Sequence, residues 1–282
     1  MRQKSYDDSP SLYLIPTPVG NMEDITFRTI NTLKMVDLLL CEDTRVTAEL
    51  LHKLGIRKKL IHSDDHTEEN LKEMVLSKLQ GGLNIGLVTD RGTPVISDPG
   101  YKIVEFISHN GFNVISLPGP TAFVPALTMS GLHPSPFVFY GFLNSKEARR
   151  IKELDNLKKL PYTIIFYEAP HRICDMLKSL LQVFGNRKMA LCREISKKYE
   201  EVVRGTIEEV LEVADTLKGE MVVVVEGNLE PEDFSSMTIL EHIHLYLEDG
   251  ISEKEVIKKV AVERGIPKSV VYKEYHVNNS LK

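Results

Sequence analysis

Three loops rich in glycine and proline are the first places where this 282-residue sequence could hold a small molecule. They are PTPVGN (16–21), TDRGTPVISDPG (89–100) and LPGPTA (117–122), and each follows a predicted strand. Glycine and proline let a backbone approach a ligand closely and hold it rigidly. One such loop alone is compatible with a tight turn that binds nothing. Because parallel sheets bind ligands outside the carboxyl ends of their strands, we expect the three loops to form one site.

The loops lack the signatures of the common nucleotide sites. Neither a phosphate-binding GxxxxGKS or GxxxxGKT loop nor a dinucleotide-binding GxGxxG turn is present in the sequence. The nine histidines form no HExxH pattern, and the cysteines show no CxxC spacing. We therefore expect no bound metal, and we expect Cys41, Cys174 and Cys192 to be reduced thiols of an intracellular protein.

The elements that must position these loops are short strands and helices that alternate from residue 11 to about residue 228. Leu-rich or β-branched runs such as SLYLIP and DLLLCE predict buried strands. Asp24 and Thr44 are the predicted N-caps of the first two helices. This alternation predicts an α/β fold, with helices on the faces of mostly parallel or mixed sheets.

Breaks in the pattern divide the chain into three predicted parts. SGLHPSPF (130–137) interrupts the alternation, and the polar segment NLEPEDFSS (228–236) is a predicted linker. The predicted parts are an N-terminal α/β domain (11–119), a second α/β domain (120–228) that completes a ligand cleft, and a helical appendage (237–282).

The appendage differs in charge from the rest of the chain. Residues 251–282 contain seven Lys or Arg against four Glu, whereas the whole chain has a net charge of −5. Ala261, Gly265, Val270 and Val271 have the spacing of a helix-turn-helix core. Two interpretations stay open: contact with nucleic acid, or simple capping of the preceding domain.

No segment of the sequence indicates a membrane or an exported protein. The N-terminus MRQKSYDDSPS is polar, and no apolar run reaches the roughly 18 to 20 residues that span a bilayer. A cytoplasmic location is the expectation.

Six segments, read in order, resemble the tetrapyrrole-methylase-like methyltransferases. They are LYLIPTPVGNMEDIT, CEDTR, TDRGTPVISDPG, LPGPTA, FYEAPHR and GEMVVVVEGN. CEDTR and FYEAPHR are typical of the branch that acts on ribosomal RNA, not of the porphyrin and corrin enzymes. The resemblance covers residues 11–277 and implies two α/β domains with S-adenosylmethionine in the cleft between them, as a homodimer. It further implies methylation of the ribose 2′-hydroxyl of a cytidine in the decoding centre of 16S ribosomal RNA.

The resemblance also implies a set of cofactor-binding residues. S-adenosylmethionine has no phosphate, so backbone groups of Gly-rich turns can recognise its adenine and its amino acid. Met221 could equally be a core residue. The matched positions are Pro18, Gly20, Asp90, Gly92, Thr93, Pro94, Pro118, Gly119, Thr121, Ala122, Tyr167 and Met221.

The chain departs from the family pattern at Arg91, where a small residue is usual. A long cation between Asp90 and Gly92 either points out of the pocket or reaches a substrate phosphate.

Methyl transfer to a ribose hydroxyl depends mainly on orientation and gains from a positioned base. The candidates are Glu168, His171 and Arg172 in FYEAPHR, and Asp43 and Arg45 with Glu42 in CEDTR. Each has an alternative: Glu168 could cap the following helix, and Asp43 and Arg45 could form a structural ion pair. Arg172 and Arg45 could also bind phosphates.

The expected partner is 16S ribosomal RNA, within the small ribosomal subunit. Two other functions stay open. One is a tetrapyrrole methyltransferase of the same fold, and the other is a regulator that senses S-adenosylmethionine and binds nucleic acid through the appendage.

Overall fold

A computed structural model of the chain describes residues 3–5, 7–229, 234, 236–248 and 250–279. It divides into two compact units, Met1–Asn228 and Leu229–Lys282. Within the described residues, no helix has both the length and the apolar character that a bilayer-spanning segment needs.

The first half of the larger unit is built on a five-stranded sheet in the order β3-β2-β4-β1-β5, with every pairing parallel. The strands are β1 (Ser11–Leu14), β2 (Leu38–Cys41), β3 (Lys59–His62), β4 (Ile85–Val88) and β5 (Asn113–Ser116). The helices are α1 (Phe27–Met35), α2 (Thr44–Lys53), α3 (Glu68–Gln80) and α4 (Tyr101–His109). Because all strands run the same way, their carboxyl ends lie at one edge of the sheet.

The second half contains another five-stranded sheet, in the order β6-β7-β10-β8-β9. Only β6 and β7 pair in parallel among its described pairings. The strands are β6 (Phe137–Phe142), β7 (Thr163–Glu168), β8 (Lys188–Arg193), β9 (Glu201–Thr206) and β10 (Met221–Val225). The helices are α5 (Phe123–Ser130), α6 (Glu147–Leu157), α7 (Ile173–Phe184) and α8 (Ile207–Ala214). The predicted α/β fold with parallel or mixed sheets is confirmed.

Both predicted N-caps are wrong, each by one or two residues. Asp24 lies in a short 3₁₀ helix, Met22–Asp24, so α1 begins later and its N-cap is Thr26, whose hydroxyl accepts the Thr29 N–H at 3.0 Å. Thr44 is already helical, and Asp43 caps α2 by accepting the Arg45 N–H at 2.8 Å. Asp43 therefore has the capping role that the sequence pattern assigns to Thr44.

The described residues of the C-terminal unit form three helices, α9 (Ile239–Glu248), α10 (Glu253–Glu263) and α11 (Lys268–Asn279), around a small apolar core. Ala261 and Val271 are buried in that core, as expected, but Val270 is 45% exposed. The expectation for Val270 is wrong because α11 buries only one of the two adjacent valines. The predicted linker lies largely outside the described residues; within it, Phe234 is buried and stacks on His242 with ring centroids 3.6 Å apart.

Candidate active site between the two sheets

The three Gly/Pro loops are joined by hydrogen bonds at the carboxyl ends of β1, β4 and β5. The Thr17 N–H donates to the Gly92 carbonyl at 2.8 Å, and the Gly92 N–H returns a bond to the Thr17 carbonyl at 3.0 Å. The Thr93 hydroxyl donates to the Pro120 carbonyl at 2.9 Å. Gly92 has a φ of 82°, a conformation that glycine adopts without strain. The loops therefore form one continuous rim.

A buried carboxylate holds the far end of the longest loop. Glu68 at the start of α3 accepts hydrogen bonds from the backbone N–H groups of Gly100 and, at 3.1 Å, Lys102. These N–H groups lie at the beginning of α4, where no carbonyl of the helix can accept them. The 89–100 loop is thus fixed at both ends.

Between this rim and the second sheet lies a cavity of about 280 Å³. Half of the predicted cofactor-binding residues line it: Gly92, Thr93, Thr121, Ala122, Tyr167 and Met221. The cavity lining does not include Pro18, Gly20, Asp90, Pro94, Pro118 or Gly119. Asp90 and Pro94 flank lining residues on the same loop, and Pro18 and Gly20 flank Val19, which lines the cavity.

Two of the predicted cofactor-binding glycines are positions where other protein atoms pack closely against the backbone. A Cβ on Gly20 would overlap Cγ of Lys197, and a Cβ on Gly119 would lie 2.6 Å from Cβ of Pro16. Gly119 lines a second cavity, of about 460 Å³, that shares Val19, Thr121 and Ile195 with the first. A larger residue at Gly119 would collide with the rigid Pro16 ring.

Arg91 connects the two halves of the unit across the mouth of the cavity. Its guanidinium forms an ion pair with Glu220, the residue before β10, and both line the cavity. Glu220 also pairs with Lys197 at 2.8 Å, and Lys197 pairs with Glu194 at 2.8 Å. The pairing with Arg91 and Lys197 lowers the pKa of Glu220 although burial opposes this. The partner of Arg91 is thus a protein carboxylate. The two alternatives from the sequence, a side chain that points out of the pocket or one that reaches a substrate phosphate, do not include this ion pair.

Of the predicted catalytic residues, only Glu168 lines the cavity. Its buried carboxylate accepts the Ala169 N–H at 2.8 Å and pairs with Nε of Arg172 at 3.0 Å. Arg172 also donates to the Leu143 carbonyl at 2.9 Å. His171 is exposed and lies outside the cavity lining. Glu168 and Arg172 thus hold the β7–α7 turn in place.

Asp43 and Arg45 lie outside the cavity lining and bind each other. Arg45 is 89% exposed in its side chain and contacts Asp43 at 2.6 Å. Hydrogen bonds from Arg45 hold the pKa of Asp43 well below its usual range. The Asp43 backbone N–H donates to Asp90 at 3.0 Å. This geometry corresponds to the structural ion pair that was the alternative for these two residues.

Asp98 is a titratable cavity residue that sequence reasoning missed. Burial raises its pKa to about 7, with further contributions from the carboxylates of Glu42 and Asp90 and an opposing hydrogen bond from Thr89. Burial also raises the pKa values of Glu42 and Asp90. Asp98 belongs to the TDRGTPVISDPG motif, and its position in that loop is the signal that could have identified it. Its carboxyl group changes charge near neutral pH, as a general base requires.

Comparison with known proteins identifies the family of this chain. The family model for tetrapyrrole (corrin/porphyrin) methylases matches residues 11–211. The chain belongs to this family. The ribosomal RNA small subunit methyltransferase I of Bacillus subtilis (strain 168) is 46% identical, over 98% of this chain and 98% of that protein. The protein of the same name from Halalkalibacterium halodurans is 44% identical, over 97% and 98%.

Solved structures of the family share the fold at low identity. The uroporphyrin-III C-methyl transferase of Thermus thermophilus, complexed with S-adenyl homocysteine, matches with a TM-score of 0.56 and 22% identity. The match covers 77% of this chain and 97% of that one. This resemblance concerns the fold alone. The chain is a methyltransferase of this family, with two sheets and a cavity between them.

The residues of the cavity fit S-adenosylmethionine, the methyl donor that the family implies. Val19, Ile96 and Ile195 give apolar walls for an adenosine, and the loop backbone offers N–H and carbonyl groups. The carboxyl groups of Asp98 and Glu168 are the wrong sign for a phosphate and the right sign for a sulfonium or an amino group. No group of three or more His, Cys, Asp or Glu in the described part of the chain is arranged to hold a metal ion.

Proposed function

We propose that this protein methylates the ribose 2′-hydroxyl of a cytidine in the decoding centre of 16S ribosomal RNA, with S-adenosylmethionine as donor. The observation that carries the proposal is the near-full-length similarity to two bacterial proteins named for the small ribosomal subunit. The cavity supports the choice of donor, since its walls are mainly apolar and its charged side chains include three carboxyl groups, those of Asp98, Glu168 and Glu220.

Backbone and side-chain groups of both halves would hold the cofactor. Gly92, Thr93, Thr121 and Ala122 are the contacts proposed from the first rim, with Tyr167 and Met221 facing them from the second sheet. S-adenosylmethionine supplies a methyl group activated by its sulfonium. The protein contributes the orientation of donor and acceptor, which alone can give effective molarities of roughly 10⁵ M or more.

Asp98 is the residue we assign as general base. It lines the cavity, and its pKa of about 7 leaves a large ionised fraction at neutral pH. Glu168 is less suited because the Ala169 N–H and Arg172 already bind its carboxylate. We assign Glu168 and Arg172 to positioning of the β7–α7 turn, and Asp43 and Arg45 to the start of α2. His171 is exposed and has no assigned role.

Lysines of the C-terminal unit are proposed contacts for RNA phosphates. Lys254, Lys258, Lys268 and Lys273 are exposed, and none has a side-chain partner among the described residues. Arg264 is a different case, because it donates to His242 at 3.0 Å and to the Met237 and Thr238 carbonyls. We therefore expect the four lysines to contribute affinity and Arg264 to contribute stability.

We further propose that the acceptor RNA is presented within the small subunit, that the enzyme works in the cytoplasm where ribosomes are, and that it is a homodimer. The domain boundaries 11–119, 120–228 and 237–282 stay predictions. A tetrapyrrole acceptor is the competing activity, and a non-catalytic sensor of S-adenosylmethionine is the competing class.

Radiolabelled S-adenosylmethionine with undermodified small ribosomal subunits tests the proposal. We expect label in 16S ribosomal RNA, resistant to alkaline cleavage at one cytidine because its 2′-oxygen is blocked. Ala122→Leu, which adds atoms inside the cavity, should weaken cofactor binding more than tenfold, about 1.4 kcal/mol. Ala48→Leu, at an exposed position of α2, is the matched control. Label in a porphyrin but not in RNA, or binding without any transfer, would contradict the proposal.

A further inference from the structure

An aromatic side chain stands exposed at the cavity although the proposed cofactor contacts do not use it. Phe142, the last residue of β6, lines the cavity and is 53% exposed. Its ring meets Tyr167 edge to face, with centroids 5.5 Å apart, so one side of Phe142 is supported by the protein. Single exposed apolar side chains are common on protein surfaces, so the informative observation is the place of this ring at the cavity.

The chain that follows Phe142 is held by hydrogen bonds to three charged side chains. Arg172 binds the Leu143 carbonyl at 2.9 Å, and Glu153 accepts the Asn144 N–H at 2.9 Å. Arg150 is buried and donates to the Ser145 carbonyl at 3.2 Å and to Ser179 Oγ at 2.9 Å. Three charged side chains thus hold a short segment that contains no catalytic group. Such preorganisation is expected of a segment that must present its exposed residues in fixed positions.

The exposed residues of this segment include two cations without partners. Lys146 and Arg149 are exposed, and neither side chain has an ion pair or hydrogen bond among the described residues. They are three positions apart at the start of α6, so their side chains are neighbours. The Cα of Lys146 is within about 14 Å of the Cα of Phe142, because four residues of extended chain reach no further.

We propose that the β6–α6 segment, residues 142–149, binds the acceptor strand: an unstacked base lies on Phe142, and flanking phosphates contact Lys146 and Arg149. The inference rests on the proposed function and deepens it by naming where the RNA lies. Aromatic faces and nearby cations are the combination that binds single-stranded nucleic acid. A paired base could not lie on the ring, because its stacking neighbours occupy both of its faces.

Three variants separate the roles within the segment. Phe142→Leu keeps an apolar side chain but removes the aromatic face, and Phe142→Trp restores it. The double variant Lys146→Ala/Arg149→Ala removes both cations. Its control is Lys34→Ala/Lys78→Ala: these exposed lysines lie in the last turns of α1 and α3, at the opposite edge of the first sheet from the cavity. Equilibrium binding of S-adenosylhomocysteine and of undermodified small subunits is measured for each.

Base–aromatic stacking predicts that Phe142→Leu weakens subunit binding roughly 5- to 150-fold, and that Phe142→Trp restores it. In the Lys146→Ala/Arg149→Ala variant, the slope of log K for subunit binding against log[salt] should be smaller in magnitude by about 1.4 to 1.8. The control variant should leave this slope unchanged. S-adenosylhomocysteine affinity should change less than threefold in all variants.

Two results would overturn the inference while leaving the proposed function intact. One is that every variant binds the subunit with the affinity and the salt slope of the wild type, while the enzyme still methylates the subunit. The other is a loss of S-adenosylhomocysteine affinity in Phe142→Leu as large as its loss of subunit affinity, which would make Phe142 a wall of the cofactor site. Absence of transfer by the wild-type protein is a separate result, and it would overturn the proposed function itself.

Discussion

Arg91, on the loop after β4, forms an ion pair with Glu220, the residue before β10, and so joins the two halves of the larger unit at the cavity. Both side chains are about half exposed, and exposed pairs typically contribute about 0.2 to 1 kcal/mol. We expect Arg91→Ala to change the free energy of unfolding by less than about 1 kcal/mol. Its main effect should be on the cofactor, because both residues of the pair line the cavity proposed to bind it.

A double-mutant cycle of Arg91→Ala and Glu220→Gln measures this coupling through the dissociation constant of S-adenosylhomocysteine. The two single variants should each weaken binding up to about fivefold, and the double variant no more than the stronger single one. The coupling should shrink in 0.5 M salt, because exposed charges are screened. The pair Glu49–Lys53 on α2 is the control, since it lies outside the cavity lining. Additive effects at low salt would show that the Arg91–Glu220 contact does not act on the cofactor.

The ionisation of Asp98 should determine how the methylation rate falls at acidic pH, the acid limb of its pH profile. A general base acts only when ionised, so with a pKa of about 7 the rate should rise about tenfold per pH unit below 7 and level off above about 8. Asp98→Asn should lower kcat by about 10²- to 10⁴-fold and abolish this limb. Single-turnover rates between pH 5.5 and 9 test it, with the exposed Asp215→Asn as control. An unchanged limb in Asp98→Asn would assign the titration to another group.

The same residue should make stability depend on pH. The pKa of Asp98 is raised from 3.8 in the unfolded chain to about 7 in the folded protein. The folded state therefore retains a proton that the unfolded state has lost, and stability falls as pH rises from about 4 to about 7. Asp98→Asn cannot ionise, so its melting temperature should exceed that of the wild type at pH 8 and match it near pH 4. Equal differences at the two pH values would contradict the raised pKa.

The sequence predicted the parts of the site that depend on one segment at a time. Each Gly/Pro loop could be recognised because glycine, proline and the preceding apolar run are neighbours in the chain. The parallel arrangement of β1, β4 and β5 then brings the loops together, and hydrogen bonds such as Thr93 to Pro120 join them.

The parts that were missed depend on distant segments or on single-residue geometry. Glu220 reaches Arg91 only because β10 is inserted antiparallel between β7 and β8, which the repeating pattern does not reveal. In the sequence, Phe142 is not distinguished from the other residues of its predicted strand. Its exposure follows from its place at the end of the edge strand β6. The N-caps were misplaced because Asp, Thr and Ser are all good caps, so a pattern alone does not choose among neighbours.

The lysines of the C-terminal unit give the final prediction. Lys258→Ala/Lys268→Ala/Lys273→Ala should reduce the salt slope of small-subunit binding by about 0.7 to 0.9 per lost phosphate contact. The melting temperature should stay within about 2 °C of the wild type, because these side chains are exposed and their removal opens no cavity. Arg264→Ala is the comparison, since it removes the guanidinium donor from Nδ1 of His242 and from the Met237 carbonyl and should lower the melting temperature. If the triple variant keeps the wild-type salt slope, or if its melting temperature falls like that of Arg264→Ala, the three lysines support the structure of the unit and do not bind RNA.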